Sequence, residues 1–231
     1  MPLRCSFIVV SHARYELLDL AIKSLLAQDD PRWEVLVVDN GSTSDGMREV
    51  LTRHAADTRF RVYRFEENLN QPAVRWNWAL GLARSEFVAF LDSDCEKEPF
   101  FLSLLGGLLD ANPAAGFAFG GMTVTDGRKE RPHRYHMDAT PERILDRNYI
   151  DGGSVLWRRT SILEAGGFDE RLHTNEDWDL LRRAFHLFPF VRTEALVQKY
   201  KHVPGRRMEH RNELGNAADE ALVRSKPVGR V

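Results

Sequence analysis

Two aspartates one residue apart, Asp92 and Asp94, follow an apolar segment at residues 87–91. Carboxylates at this spacing can lie on the same side of a tight loop and share one divalent cation, and oxygen ligands favour Mg²⁺ or Mn²⁺. A solvated turn, in which each aspartate bonds to nearby backbone, is the alternative for an isolated Asp-x-Asp sequence. The choice between a cation site and a turn therefore depends on the elements predicted around the two aspartates.

Polar residues also follow two other short apolar segments. Ser11 comes after residues 7–10, and Asp39 comes after residues 35–38. Continuous apolar runs rich in valine and isoleucine are typical of strands that are buried on both faces of a parallel sheet. Because ligands of open α/β sheets bind beyond the carboxyl ends of the strands, we expect Ser11, Asp39 and Asp92 to border one site.

Helical and strand patterns alternate along most of the chain. Apolar residues at helical spacing predict helices at 15–27, 47–54, 73–83, 100–110 and 177–188. Further strands are predicted at 60–65, 87–91, 117–124 and 152–157. The polar stretch 126–147 is predicted to be a long mobile loop. The alternation predicts an α/β fold with an open, mostly parallel sheet that is flanked by helices.

Composition and charge exclude several classes of protein. The 231 residues are 43% hydrophobic and carry a net charge of −2, so they can form a sizeable core but present no basic field to a nucleic acid. The two cysteines, Cys5 and Cys95, form no disulfide framework, which favours a reducing cytosol. No secretory signal is recognised, and the longest apolar stretch, 99–109, is about half of a membrane span. The expected location is cytoplasmic, with any membrane contact peripheral and at the inner face.

Several motifs, in order along the chain, resemble those of family 2 glycosyltransferases, which have the GT-A fold. Residues 37–42 (VVDNGS) resemble the nucleotide-binding loop of that family, and residues 90–94 (FLDSD) resemble its metal-binding Asp-x-Asp element. Residues 166–170 (GGFDE) and 176–180 (EDWDL) are similar to its acceptor-side motifs. The resemblance extends over roughly residues 5–205 and implies an inverting transfer of a sugar from a nucleotide donor to an acceptor hydroxyl.

The resemblance assigns donor-side roles residue by residue. It implies that Asp39 recognises the base and that Ser93 lies near the donor ribose. Asp94, with Asp92, would hold Mn²⁺ or Mg²⁺, and His202 resembles a late histidine of the family that completes the metal shell. A surface histidine is the alternative for His202.

The resemblance also assigns the acceptor side. Asp177 resembles the catalytic base that inverting members place at the start of a helix, with helix capping as its alternative role. Glu176 suits such a capping role and, with Gly153, is also a candidate for acceptor contacts. Trp178, which lies beside the proposed base, is a further candidate for acceptor contact, with core packing as its alternative. Arg183, six residues after Asp177, fits either a structural ion pair or a substrate contact.

The first strand's exit departs from the family pattern. The family often has Pro-Thr-Tyr-Asn-Arg there, whereas this chain has residues 10–14 (VSHAR). Ser11 still offers a hydroxyl and Arg14 a cation near the pyrophosphate, although Arg14 could equally bond to a carbonyl. Arg75 is assigned to the donor pocket because the family has an Arg or Asn in the helix before the Asp-x-Asp strand.

These inferences predict a single GT-A-like, Rossmann-like domain at residues 1–204. Its nucleotide-sugar half is about 1–98, its acceptor half is about 99–204, and a loosely packed, charged tail spans 205–231. A UDP-sugar is the favoured donor, with a GDP- or dTDP-sugar as alternatives, and the acceptor is a glycan, a lipid-linked glycan or a small molecule. A degenerate nucleotide- or glycan-binding module is one competing hypothesis. A sugar nucleotidyltransferase is the other, but the first-strand loop lacks the glycines usual in such enzymes.

Overall fold

A computed structural model describes residues 2–126, 128–133, 135–201 and 216–228. Its strands are β1 (Cys5–Ser11), β2 (Trp33–Asn40), β3 (Phe60–Phe65), β4 (Phe87–Asp92), β5 (Cys95–Lys97), β6 (Phe117–Thr125), β7 (Glu130–His133), β8 (Val155–Arg158) and β9 (Phe190–Lys201). Its α-helices are α1 (Tyr15–Leu26), α2 (Asp45–His54), α3 (Pro72–Leu82), α4 (Phe101–Ala111), α5 (Arg143–Asp146), α6 (Arg159–Glu164), α7 (Glu176–Leu187) and α8 (Asn216–Ser225). Two short 3₁₀ helices span Tyr135–Asp138 and Gly152–Ser154.

The described strands form one mixed sheet. Its order is β3-β2-β1-β4-β8-β6-β9-β5, with β7 paired to β6. The first four strands are parallel, and β8 joins β4 and β6 in antiparallel pairing. The predicted α/β architecture is confirmed, and the second half of the sheet adds antiparallel pairs to it.

The core lies on both faces of this sheet. Ile8 packs in one cluster of buried side chains, whereas Phe7 and Val9 pack in the other. Side chains of a strand alternate between faces, so an uninterrupted apolar segment contributes to both clusters. This explains why the segments 7–10 and 35–38 show no polar alternation.

The register of the parallel strands brings their polar ends together. Ser11 lies opposite Asp39 across the β1–β2 pair, and Val10 lies opposite Asp92 across the β1–β4 pair. Three sequence-distant residues, Ser11, Asp39 and Asp92, therefore share one edge of the sheet, as the strand pattern predicts.

Three sequence predictions need correction. The stretch 126–147 is not a long structureless loop, because β7, one 3₁₀ helix and α5 lie within it. The expected loosely packed tail is wrong for residues 216–228, since α8 packs against the domain with Val223 buried. Gly152–Ser154, predicted as the start of a strand, is a 3₁₀ helix, and β8 begins at Val155.

Both cysteines are buried and unbridged. Among the described residues, no helix combines the length and apolarity needed to cross a bilayer.

Candidate active site

Asp39 and Ser11 lie opposite each other at one edge of the sheet, which is called the donor edge after its predicted role, and Asp39 is 1% exposed. Its Oδ1 accepts a hydrogen bond from Ser42 N at 3.0 Å, while its Oδ2 lies 3.4 Å from Arg64 Nε. Neither Asp39 Oδ2 nor the buried Ser11 Oγ has a hydrogen-bond partner among the described residues. Since buried polar atoms are normally hydrogen-bonded, these two atoms on facing strand ends keep the capacity to bond to a polar ligand.

The loop after β2 is held by a buried arginine. Arg75 Nε donates to Asn40 Oδ1 at 2.9 Å and its guanidinium donates to Glu67 O at 3.2 Å. The guanidinium carbon lies 3.5 Å from the centroid of the Phe65 ring, and burial lowers the pKa of Arg75. The structure therefore places Arg75 behind the Asp39–Ser42 loop, where it supports the loop, and its direct donor contact stays a prediction.

The Asp-x-Asp segment forms the turn between β4 and β5. Asp94 and Ser93 are buried, Asp92 is half-buried, and candidate ligand atoms of Asp92, Asp94 and Cys95 lie within 4.8 Å of one another. Arg14 Nη1 lies 3.3 Å from Asp94 Oδ2, which brings the first-strand loop to this turn. Asp94 O also accepts from Lys201 N at 3.0 Å. His202 lies outside the described residues, so its predicted role is untested.

Asp177 is half-buried in the first turn of α7 and faces a cavity of about 620 Å³. Its Oδ1 accepts from Trp178 N at 2.8 Å, its Oδ2 accepts from Gly152 N at 3.3 Å, and Asn148 Nδ2 lies within 3.4 Å of both oxygens. Burial and the charge of Asp151 raise the pKa of Asp177, although these three donors oppose the shift. The carboxylate thus caps its helix and also borders the cavity.

The same cavity brings Asp92 and Asp177 together. Asp92 lies on its wall with Gly153 and Glu176, so three of the predicted site residues join Asp177 there. Trp178 does not line the cavity. It is 2% exposed, and its indole Nε1 donates to Ile144 O at 2.6 Å. The expected acceptor contact of Trp178 is therefore not supported.

Two glycines allow this close approach. A Cβ on Gly152 would lie 2.8 Å from the Cβ of Asp177, and a Cβ on Gly153 would collide with the Gln198 side-chain amide. Any larger residue would push the loop 151–153 away from α7 and β9. Asp151 holds this loop by accepting from Gly153 N and from Gln198 Nε2, both at 2.9 Å.

Sequence reasoning missed a buried lysine beneath the cavity. Lys97 Nζ donates to Phe90 O, to Gly153 O and to Gln198 Oε1. Burial lowers the pKa of Lys97 to about 8, and the nearby charges of Asp151 and Asp92 oppose this. Lysine is rarely buried, so a sequence gives no signal for this role. Lys97 links the Asp-x-Asp turn to the loop that contacts Asp177.

Arg183 forms a structural ion pair. Its Nη2 lies 2.6 Å from Asp179 Oδ2 and donates to Gly167 O at 2.7 Å, while Nη1 donates to Ala165 O. Of the two alternatives for Arg183, the structure supports the structural one.

Comparisons with known proteins identify the family. Residues 6–172 of the 231 match the family model described as Glycosyl transferase family 2. The chain belongs to glycosyltransferase family 2. Its matched region includes the donor edge, the Asp-x-Asp turn and the loop 151–153, but ends before α7.

One relative and two solved structures show how far the similarity extends. The succinoglycan biosynthesis protein ExoU of Rhizobium meliloti is 30% identical in an alignment of 181 positions that covers 71% of this chain and 52% of ExoU. S. aureus TarS 1-349 in complex with UDP-GlcNAc superimposes with a TM-score of 0.79 and 21% identity, covering 96% of this chain and 64% of that one. Mannosyltransferase PcManGT of Pyrobaculum calidifontis, in complex with GDP-Man and Mn²⁺, gives a TM-score of 0.70 at 20% identity, over 91% of this chain and 60% of that one.

At these identities the two structures establish the GT-A fold of this family 2 chain. The chain spans about half of ExoU and only 18% and 35% of two other curated relatives that it matches.

Proposed function

We propose that this family 2 chain is an inverting glycosyltransferase that moves a sugar from a nucleoside-diphosphate donor to an acceptor hydroxyl. The observation that carries the proposal is the cavity shared by Asp92 and Asp177. Asp92 ends β4 beside β1, and at the end of β1 the Ser11 hydroxyl and the facing Asp39 Oδ2 lack hydrogen-bond partners among the described residues. This arrangement supplies a nucleotide-binding edge, a carboxylate pair and a candidate base within one site. A UDP-sugar is the favoured donor, and GDP- and dTDP-sugars are the alternatives.

Asp177 serves as the base in this proposal. Its carboxylate takes the proton of the acceptor hydroxyl, whose oxygen bonds to the anomeric carbon as the bond to the diphosphate oxygen breaks on the opposite face. The electron pair of the broken bond leaves with the nucleoside diphosphate. Asn148 and the backbone N–H of Gly152 orient the carboxylate for this proton transfer.

The Asp-x-Asp turn suits a divalent cation. Asp92 and Asp94 supply two carboxylates within reach of one ion, which is the oxygen donor set that Mn²⁺ and Mg²⁺ prefer. Cys95 Sγ lies 3.9 Å from Asp94 Oδ1, so its thiol can donate to that carboxylate. When bound, the cation would neutralise charge on the departing diphosphate.

Nucleotide binding and turnover test the proposal directly. Thermal unfolding is measured with UDP, GDP and dTDP, each with and without Mn²⁺, and release of UDP or GDP is followed from UDP-glucose, UDP-GlcNAc and GDP-mannose. One nucleotide is expected to raise the melting temperature in the presence of Mn²⁺, and the matching donor is expected to be turned over. Nucleotide binding with neither sugar transfer nor slow hydrolysis of a donor would instead favour a binding module. The absence of nucleotide binding would contradict the proposal.

The raised pKa of Asp177 predicts a pH dependence of kcat. Activity should rise with pH as Asp177 loses its proton, and Asp151→Asn should move this acid limb to lower pH because it removes a neighbouring negative charge. An asparagine in the same rotamer keeps the Oδ1 that accepts from Gly153 and Gln198. The measurement is kcat against pH for both proteins, with the exposed Asp110→Asn as the control. An acid limb unmoved by Asp151→Asn would show that the charge of Asp151 does not act on the base.

The raised pKa of Asp177 also makes the free energy of unfolding depend on pH. A raised pKa means that protonated Asp177 favours the folded state, so this contribution is complete below the unfolded carboxyl pKa of about 3.9 and is lost as pH rises through the folded value. Above that folded value, the ionised Asp177 carboxylate lowers the stability of the fold.

A further inference from the structure

The C-terminal helix α8 packs against the turn that leads into α7. The carboxylate of Asp219, which is 5% exposed, accepts three hydrogen bonds through Oδ2. The donors are His173 N at 3.1 Å, Thr174 N at 2.8 Å and Thr174 Oγ1 at 2.9 Å. A residue 42 positions after Asp177 thus satisfies the backbone just before the helix that carries the candidate base.

This turn is conformationally demanding. Asn175 follows Thr174 with φ of +60°, in the left-handed region, and its carbonyl accepts from Asp179 N at 2.9 Å. Such a conformation is unfavourable for a residue other than glycine and persists only where its surroundings hold it. Thr174 and Asn175 both line the cavity, and Asp177 lies two residues further on. A shift of this turn would therefore move Asp177 directly.

Lys226, just after α8, joins two acidic residues on either side of the turn. Its Nζ lies 2.6 Å from Asp169 Oδ2 and 2.6 Å from Asp179 Oδ1. Arg171 and Lys226 hold the pKa of Asp169 well below its usual range, and Asp179 is 1% exposed. Lys226 therefore ties the loop at Asp169 to the first turn of α7.

Two arginine contacts extend the attachment. Arg224 donates to Asp146 O, two residues before Asn148, and its guanidinium carbon lies 5.2 Å from the centroid of the Trp178 ring. Arg182 of α7 donates to Val223 O of α8. Helix α8 consequently contacts two of the segments that supply polar neighbours to Asp177, the one ending at Asn148 and the first turn of α7.

We propose that α8 is a positioning element for glycosyl transfer, in which Asp219 and Lys226 hold the 173–179 turn so that the Asp177 carboxylate faces the acceptor. The inference rests on the function proposed above but concerns residues outside the matched family region. A helix that only stabilised the fold would affect the donor edge and the acceptor side alike. A positioning helix acts on kcat and leaves binding of the nucleotide unchanged.

The test compares Asp219→Ala with Asp219→Asn. Ser225→Ala is the control because, among the described residues, the Ser225 hydroxyl bonds only within α8, to Leu222 O. UDP release from UDP-GlcNAc and GDP release from GDP-mannose are measured with Mn²⁺, and backbone hydrogen exchange is followed in residues 170–180 and 35–45. Asp219→Ala is expected to lower kcat about 10- to 100-fold with the donor KM within about twofold. Exchange should accelerate in residues 170–180 but not in 35–45. Asparagine keeps an acceptor oxygen and should restore most of kcat.

Separate outcomes contradict the two proposals. An unchanged kcat and unchanged exchange in Asp219→Ala, or a rise in donor KM parallel to the loss of kcat, would overturn the positioning role. If Asp219→Ala does not fold, the same measurements are made on Lys226→Met, which leaves Asp219 in place. A lower kcat, an unchanged donor KM and faster exchange in residues 170–180 are again expected. A wild-type protein that releases no nucleoside diphosphate from a UDP-, GDP- or dTDP-sugar contradicts the proposed function instead, and the exchange measurement alone then decides whether α8 holds the turn.

Discussion

Asp177→Asn is expected to lower kcat by about 10²- to 10⁴-fold, the usual contribution of a general base. An amide has no free carboxylate to accept the proton of the acceptor hydroxyl, while its remaining oxygen can still accept from Trp178 N. Nucleotide affinity should stay within a few-fold of wild type, because the donor edge at Ser11 and Asp39 lies on β1 and β2, whereas Asp177 lies on α7. The measurements are donor turnover and the nucleotide-induced shift in melting temperature.

The control for this variant is Asp110→Asn, which removes an exposed carboxylate on α4 that pairs with Arg4. It should leave both quantities unchanged. Full turnover by Asp177→Asn would assign Asp177 to helix capping alone, the alternative that its bond to Trp178 N also allows.

Asp94→Asn is expected to remove the stabilisation that nucleotide and Mn²⁺ provide together. A ligand at 100 times its dissociation constant adds about 2.7 kcal/mol to the free energy of unfolding, so loss of the site should be visible as a missing shift in melting temperature. The carboxylate is buried beside Arg14, and an amide is a much weaker ligand for a hard cation. The variant loses this ion pair even without ligand, so the ligand-induced shift is the quantity to compare.

Two comparisons make this prediction specific. Wild type with nucleotide and EDTA should resemble Asp94→Asn with nucleotide and Mn²⁺, and Asp110→Asn should resemble wild type in every condition. An undiminished Mn²⁺-dependent shift in Asp94→Asn would show that the ion is held elsewhere.

Local patterns predicted the first half of the fold well. Apart from the three-residue strand β5, which the sequence did not predict, the strands and helices up to α4 begin and end within two residues of expectation, and the strand at 60–65 has the predicted bounds. These elements bury continuous apolar segments or one apolar helical face, and both patterns are visible over a few residues. The position of Asp92 and Asp94 after a buried strand follows from the same pattern.

The second half was harder because its elements are short or polar. The strand β7 is four residues long and mostly exposed, and it forms because the edge of β6 accepts it in antiparallel pairing. The helix α8 is amphipathic, but its docking depends on Asp219 and Lys226 meeting partners about 45 residues away. A local window contains neither partner.

The sequence by itself determined the alternation of strands and helices, the polar residues at the strand ends and the resemblance to the family. Tertiary structure decided which of these residues meet. The antiparallel insertion of β8 between β4 and β6 brings the loop 151–153 beside Asp92, and α7 then places Asp177 against that loop. The tertiary structure also enclosed Trp178 in the core and buried Lys97 under the cavity. The physical reason is that the spacing of apolar residues along a segment shows which face of its helix or strand each residue occupies. The partners of a residue across the sheet are instead set by contacts between segments far apart in the chain.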